Sequence, residues 1–142
     1  MATIRHATPG AILATKRYLV KDAVTSDGDT KFTITQPANS TVHKLIVRCT
    51  KAITIDTSGN VTVKLGTAEG GSQAASDAAV ISSGTSLALN KVLVTNGSAA
   101  EGENGTMVTD ERTLHVTINA DQTLTASGQG DLEIAVTYRI FD

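Results

Sequence analysis

The sequence predicts an all-β protein, a single antiparallel β-sandwich that is jelly-roll-like. Three observations carry this. In the closing stretch Leu132, Ile134, Val136, Tyr138 and Ile140 share one parity, against Glu133, Ala135, Thr137, Arg139 and Phe141 on the other. Such a period of two belongs to a strand with one face in a core. The 142 residues include two Phe, two Tyr and no Trp. Val, Ile, Leu and Ala must therefore fill the core, and Thr, Val and Ile are branched at Cβ and favour strands. Gly is frequent (12) and Pro scarce (2), and turn signals recur between short alternating runs. That spacing is the grammar of a sandwich or jelly roll of about 8–10 short strands.

Taken in order, residues 1–11 contain Pro9-Gly10 and no periodicity, and they read as an extended N-terminal arm. Residues 12–142 read as the β-sandwich domain. Ile12, Ala14, Tyr18 and Val20 share a parity that Lys16 interrupts, which predicts a strand over 12–20. Residues 25–29 turn on Asp27-Gly28. Lys31 to Thr35 form a short strand with Phe32 and Ile34 on one face. It is broken before Ser40, because Pro37 has no N–H for a ladder. From Val42 to Cys49, Leu45, Val47 and Cys49 alternate with Lys44, Ile46 and Arg48.

Thr57-Ser58-Gly59-Asn60 reads as a tight turn, which makes 51–56 and 61–66 the two arms of a hairpin. Residues 66–84 are rich in Gly, Ser and Ala and read as a long surface excursion. The Ala-rich part over 72–80 leaves room for a short helical turn. Leu87, Leu89 and residues 92–94 give one or two short strands, followed by a polar loop over 96–105 and a short strand over 107–109. Leu114, Val116 and Ile118 alternate with Thr113, His115 and Thr117. Residues 119–122 turn the chain, Leu124 and Ala126 begin a return, and residues 127–130 turn again. The last strand is central, with earlier strands pairing to it; burying its five apolar side chains contributes about 1.5–3 kcal/mol each.

Composition excludes several classes. The net charge is −2, and Lys and Arg are scattered without a run of three, whereas duplex-binding surfaces concentrate them. No nucleic acid partner is expected. No stretch approaches the length of an apolar membrane span, so no membrane partner is expected either. The opening Met1-Ala2-Thr3-Ile4-Arg5-His6 lacks a basic head followed by an apolar run and is not read as a secretory signal. The sequons at Asn39, Asn60, Asn96 and Asn104 accordingly read as turn chemistry. Cys49 is the sole cysteine; in an apolar strand it reads as a buried small hydrophobe. A reactive thiol needs cationic neighbours, and Arg48 points to the opposite face.

No residue set announces a reaction. His6, His43 and His115 have no ligand partner at metal-binding spacing, and His43 and His115, mid-strand on the polar parity, read as solvated or interface-facing imidazoles. Asp27-Gly28-Asp29 starts like a calcium loop, but its twelfth position is Ala38 where a Glu is required. Asp110-Glu111 are adjacent and point apart. The run Gly66-Thr67-Ala68-Glu69-Gly70-Gly71 lacks the Lys-Ser/Thr of a phosphate loop. Gly84-Thr85-Ser86 lacks nucleophile-elbow spacing. Catalytic, cofactor-binding and metal residues are thus all expected to be none, and the chain is read as no enzyme. An enzyme would require His43, His115 and a carboxylate around one point. Sugar-binding sandwiches stack ligands on exposed rings, and here there is no Trp and Tyr138 faces inward.

Three quoted stretches carry a resemblance: residues 32–40 leading into 42–49, then Val61-Thr62-Val63-Lys64-Leu65-Gly66-Thr67, then 114–118 with 132–140. This pattern, over residues 30–142, resembles small β-sandwich virion proteins of tailed bacteriophages, of the capsid decoration or cement type. The resemblance implies a structural virion protein that decorates and stabilises the capsid by binding between major capsid protein subunits. It also implies a homo-oligomer, with a trimer favoured, placed on the capsid exterior after synthesis in the host cytoplasm and using no cofactor. The alternative it leaves open is a tail-associated or head-fibre receptor-binding module, with loops 66–84 and 96–110 as its variable end.

Overall fold

The computed structural model describes residues 11–25, 29–97, 107–124 and 128–141. They form eight strands: β1 (Ala11–Val20), β2 (Asp29–Gln36), β3 (Ser40–Lys51), β4 (Ile53–Gly66), β5 (Ala75–Leu87), β6 (Val92–Asn96), β7 (Arg112–Ala120) and β8 (Asp131–Phe141). Apart from Ala11, which opens β1, the expected arm lies outside the described residues.

Strand pairing is nested. β1 pairs with β8, β2 with β7, β3 with β6 and β4 with β5, each antiparallel. That is one long ribbon doubled back at the β4–β5 connection. β8 also pairs with β3, and β7 with β4. These extra ladders roll the ribbon into two four-stranded sheets, β1-β8-β3-β6 and β2-β7-β4-β5. Eight antiparallel strands wrapped in this way make a jelly roll. The last strand lies inside its sheet, between β1 and β3, as its alternation implies.

The core sits between the sheets. Leu132, Ile134, Val136 and Tyr138 of β8 are fully buried with Leu45, Val47 and Cys49 of β3. Across from them lie Val61, Val63 and Leu65 of β4 and Leu114, Val116 and Ile118 of β7. Tyr138 crosses the sandwich, and its hydroxyl donates to the Thr35 carbonyl of β2 at 3.4 Å. Lys16, which interrupts the first parity, stays exposed because β1 is an edge strand and its inner face is incompletely covered there.

Burial pushes the Tyr138 phenol well above its ordinary value of 10.0, and the neighbouring Tyr18 phenol adds to the effect. Burial also raises Tyr18. Above about pH 10 the unfolded chain therefore releases protons that the folded state keeps. Stability should be full below about pH 10 and decline above it, with a limiting slope of about 1.4 kcal/mol per pH unit for each retained proton. Urea unfolding across the alkaline range measures this, with Tyr138→Phe removing its share of the slope.

Several expectations are corrected. The hairpin over 51–66 does not form, and β4 runs straight through Thr57-Ser58-Gly59-Asn60. A two-residue hairpin turn of the Asn-Gly kind needs φ > 0, and neither Gly59 nor Asn60 has it. Their polar groups are used sideways. Asn60 donates to the Asp121 carboxylate through its backbone N–H at 2.7 Å and its amide at 2.9 Å, while the Thr57 hydroxyl donates to the Gln122 side-chain oxygen at 2.8 Å. Gly59 leaves no room for a Cβ beside Asp121 and Gln122.

Of the surface excursion expected over 66–84, residues 67–74 lie outside the strands but residues 75–84 belong to β5, and no helical turn occurs over 72–80. Ala75, Ala78, Val80, Ile81 and Leu87 are its buried residues. Register shifts against β4 at Gly59, Val61 and Val63 break the period, so Val80 and Ile81 are buried as neighbours. The short strand over 107–109 is a single bridge from Val108 to Ser40, and Leu124 makes one bridge to Ile55. Of the sequon asparagines, Asn39 turns the chain at φ 53°, but Asn60 and Asn96 lie in β4 and β6. Asn104 is outside the described residues.

Candidate functional site

Directly paired residues of antiparallel strands project to the same face, so the registers map the outer surface of each sheet. On the β1-β8-β3-β6 sheet, four rows run from edge to edge. They are Leu19–Glu133–Arg48–Val92, Arg17–Ala135–Ile46–Val94, Thr15–Thr137–Lys44–Asn96 and the shorter Leu13–Arg139–Thr41. Leu19 is 74% exposed, Leu13 57%, Val94 54% and Val92 49%. Ile46 is half-buried between the nearly covered Ala135 and the exposed Val94. Thr15 and Thr137 share a hydroxyl hydrogen bond at 2.9 Å. Arg48 donates to Glu133 at 2.9 Å, a half-exposed pair worth no more than about 1 kcal/mol.

The outer face of the other sheet differs in kind. Its rows are Asp29–Asn119–Thr62–Ala79, Lys31–Thr117–Lys64, Thr33–His115–Gly66 and Thr35–Thr113. Nearly every side chain is polar. The chain also covers part of this face itself: the Gly70 N–H donates to the Thr117 hydroxyl at 3.2 Å, and Lys31 is paired with Glu69. The hydrogen bond from Lys31, with its charge, holds the Glu69 carboxyl below the usual range, and Glu69 in turn raises Lys31.

The residues weighed from sequence are not brought together. His43 belongs to β3 and His115 to the outer face of β7, on opposite sheets. His6 lies outside the described residues, as does Asp27-Gly28. Among the described residues, no group of three His, Cys, Asp or Glu is placed to hold a metal ion. Cys49 is fully buried, and its thiol donates to the Lys51 carbonyl at 3.1 Å. Burial pushes that thiol up, the Lys51 hydrogen bond opposes this, and the Asp131 charge adds to the rise. Arg48 does point away from Cys49, to Glu133. Asp110 and Glu111 are exposed, and Gly84-Thr85-Ser86 is internal to β5.

The concavity beside β1 is an open groove of about 520 Å³ lined by Arg17, Tyr18, Leu19, Val20, Lys21 and Phe32. The Tyr18 and Phe32 rings, with centroids 6.2 Å apart and tilted by 50°, stand at the gap between the two sheets. Arg17 and Leu19 belong both to this groove and to the outer face, so the two surfaces are continuous.

Sequence reasoning missed this face, although a signal was present. Leu13, Leu19, Ile46, Val92 and Val94 are apolar residues on parities that ought to be polar. A strand apolar on both sides within an antiparallel sheet has something to cover on each side.

No family model matches the chain, and no curated protein matches it. Chains of solved structures do match it, among them two from phage capsids. A chain of the Cyanophage Pam1 capsid asymmetric unit aligns with a TM-score of 0.55 at 16% identity, over 99% of this chain and 92% of that one. A chain of the capsid of Ralstonia phage GP4 aligns with a TM-score of 0.52 at 11% identity, over 100% of this chain and 91% of that one. At these identities the likeness is one of fold: this all-β sandwich is shared, end to end, with chains found in phage capsids.

Proposed function

We propose that this chain is a structural virion protein that decorates and stabilises a phage capsid, binding between major capsid protein subunits on the shell exterior. In this reading it performs no reaction and acts by adhesion, as a homo-oligomer for which the trimer is the expected form. The observation that carries it is the outer face of the β1-β8-β3-β6 sheet, apolar and cationic on a rigid sandwich, in a fold found in phage capsids. A sandwich with long nested ladders resists local opening, which suits a part whose only work is to hold others in place.

Stoichiometry tests this. In purified parent virions the chain should be present in a fixed ratio to the major capsid protein, and particles assembled without it should rupture at lower temperature. Presence in only a few copies, with intact particles in its absence, would identify the tail-associated or head-fibre receptor-binding module instead.

A further inference from the structure

We infer that the outer face of the β1-β8-β3-β6 sheet is the surface that seats on the shell, and that its partner there is a protein surface with an apolar centre and an acidic surround. This rests on the capsid role proposed above and assigns the contact within it. The apolar centre is Ile46 with Val94, flanked by Val92 and Leu19. Around it, among the described residues, stand Arg17, Lys44, Arg48 and Lys51 against two carboxylates, Glu133 and Asp131. The face is therefore cationic in a chain whose net charge is −2. Such a sign reversal selects an acidic partner and steers its approach.

Two other occupants fit less well. A second copy packed face to face about a two-fold axis sets one cationic face against another, and the repulsion of like charges opposes such a contact. Strand addition to the free edge of β1 meets Lys16, a cation of inward parity in the middle of that edge, which is a known block to edge pairing. The partner consequently covers the face and does not extend the sheet. The groove beside Tyr18 and Phe32 continues the contact around the β1 edge.

The experiment uses the full chain and shells of the parent phage assembled without it, with binding read by co-sedimentation at several salt concentrations. Leu19→Asp with Val94→Asp should weaken binding roughly tenfold or more, as expected for charge placed at the centre of an interface. Arg17→Glu with Lys44→Glu should weaken it and flatten its dependence on salt. Lys64→Glu, on the opposite face, should bind like wild type. All these positions are at least partly exposed, so melting temperatures should stay within about 3 °C of wild type.

Equal shell binding by wild type and both face variants overturns the assignment and leaves the capsid role standing. Failure of the wild-type chain to bind shells removes the capsid role and this inference with it. Loss of self-association in the face variants, read as a smaller mass by analytical ultracentrifugation with shell binding retained, makes a second copy the occupant and also overturns the assignment.

Discussion

Replacing Tyr138 by Ala should lower the melting temperature by about 10–20 °C. Tyr138 is fully buried and is the largest such side chain among the described residues. It lies on β8, which carries ladders to both β1 and β3, and its ring spans the gap to β2. Truncating a buried aromatic to Ala costs about 3–5 kcal/mol, because transfer energy is lost and the cavity collapses only partly. In a domain of this size each kcal/mol is worth about 3–4 °C. The hydroxyl contributes little of this: at 3.4 Å its bond to the Thr35 carbonyl is long, so Tyr138→Phe should cost no more than about 1 kcal/mol. Calorimetry on the two variants separates ring from hydroxyl. A change below about 3 °C for the Ala variant would mean that β8 does not organise the core.

Gly130→Ala should be strongly destabilising for the addition of a single methyl group. Gly130 is buried at φ 76°, just before β8, and a Cβ there meets the Ile53 side chain of β4. Its carbonyl also accepts from the Ala23 N–H at 2.7 Å, so the backbone is pinned from the other side. Left-handed backbone costs an L-residue about 1–2 kcal/mol, and forcing a methyl into a filled site adds about 1–3 kcal/mol. The protein supplies its own control. Gly70 has the same φ of 76°, but nothing lies within 4 Å of the position a Cβ would take. Gly70→Ala should therefore show the conformational cost alone, about 1–2 kcal/mol, and Gly130→Ala about 2–5 kcal/mol. Equal urea midpoints for the two variants would remove the packing argument at Ile53.

The parts of the fold legible in the sequence are those whose alternation is undisturbed. β8, β3 and β7 are interior strands with one regular core face, and their parities read through directly. β5 was illegible because its core residues include Ala75 and Ala78, which carry little hydrophobic signal, and because register shifts against β4 put Val80 and Ile81 side by side. β4 was misread because Thr57-Ser58-Gly59-Asn60 has the composition of a turn. Those residues are instead held by Asp121 and Gln122, some 60 positions away in the chain, and no local rule reports a partner at that distance. The candidate docking face lay between these cases. Its apolar residues were visible one by one, but the registers that gather Leu19, Ile46, Val92 and Val94 onto one surface are a property of the assembled sheet.

The most direct measurement is a side-chain-resolution electron cryomicroscopy reconstruction of the parent particle. This sandwich should lie on the outer shell, with Ile46, Val94 and Arg17 turned toward capsid protein and the Thr33–His115–Gly66 row facing solvent. A shell without density for this chain, or with the Ile46 face open to solvent, would contradict it.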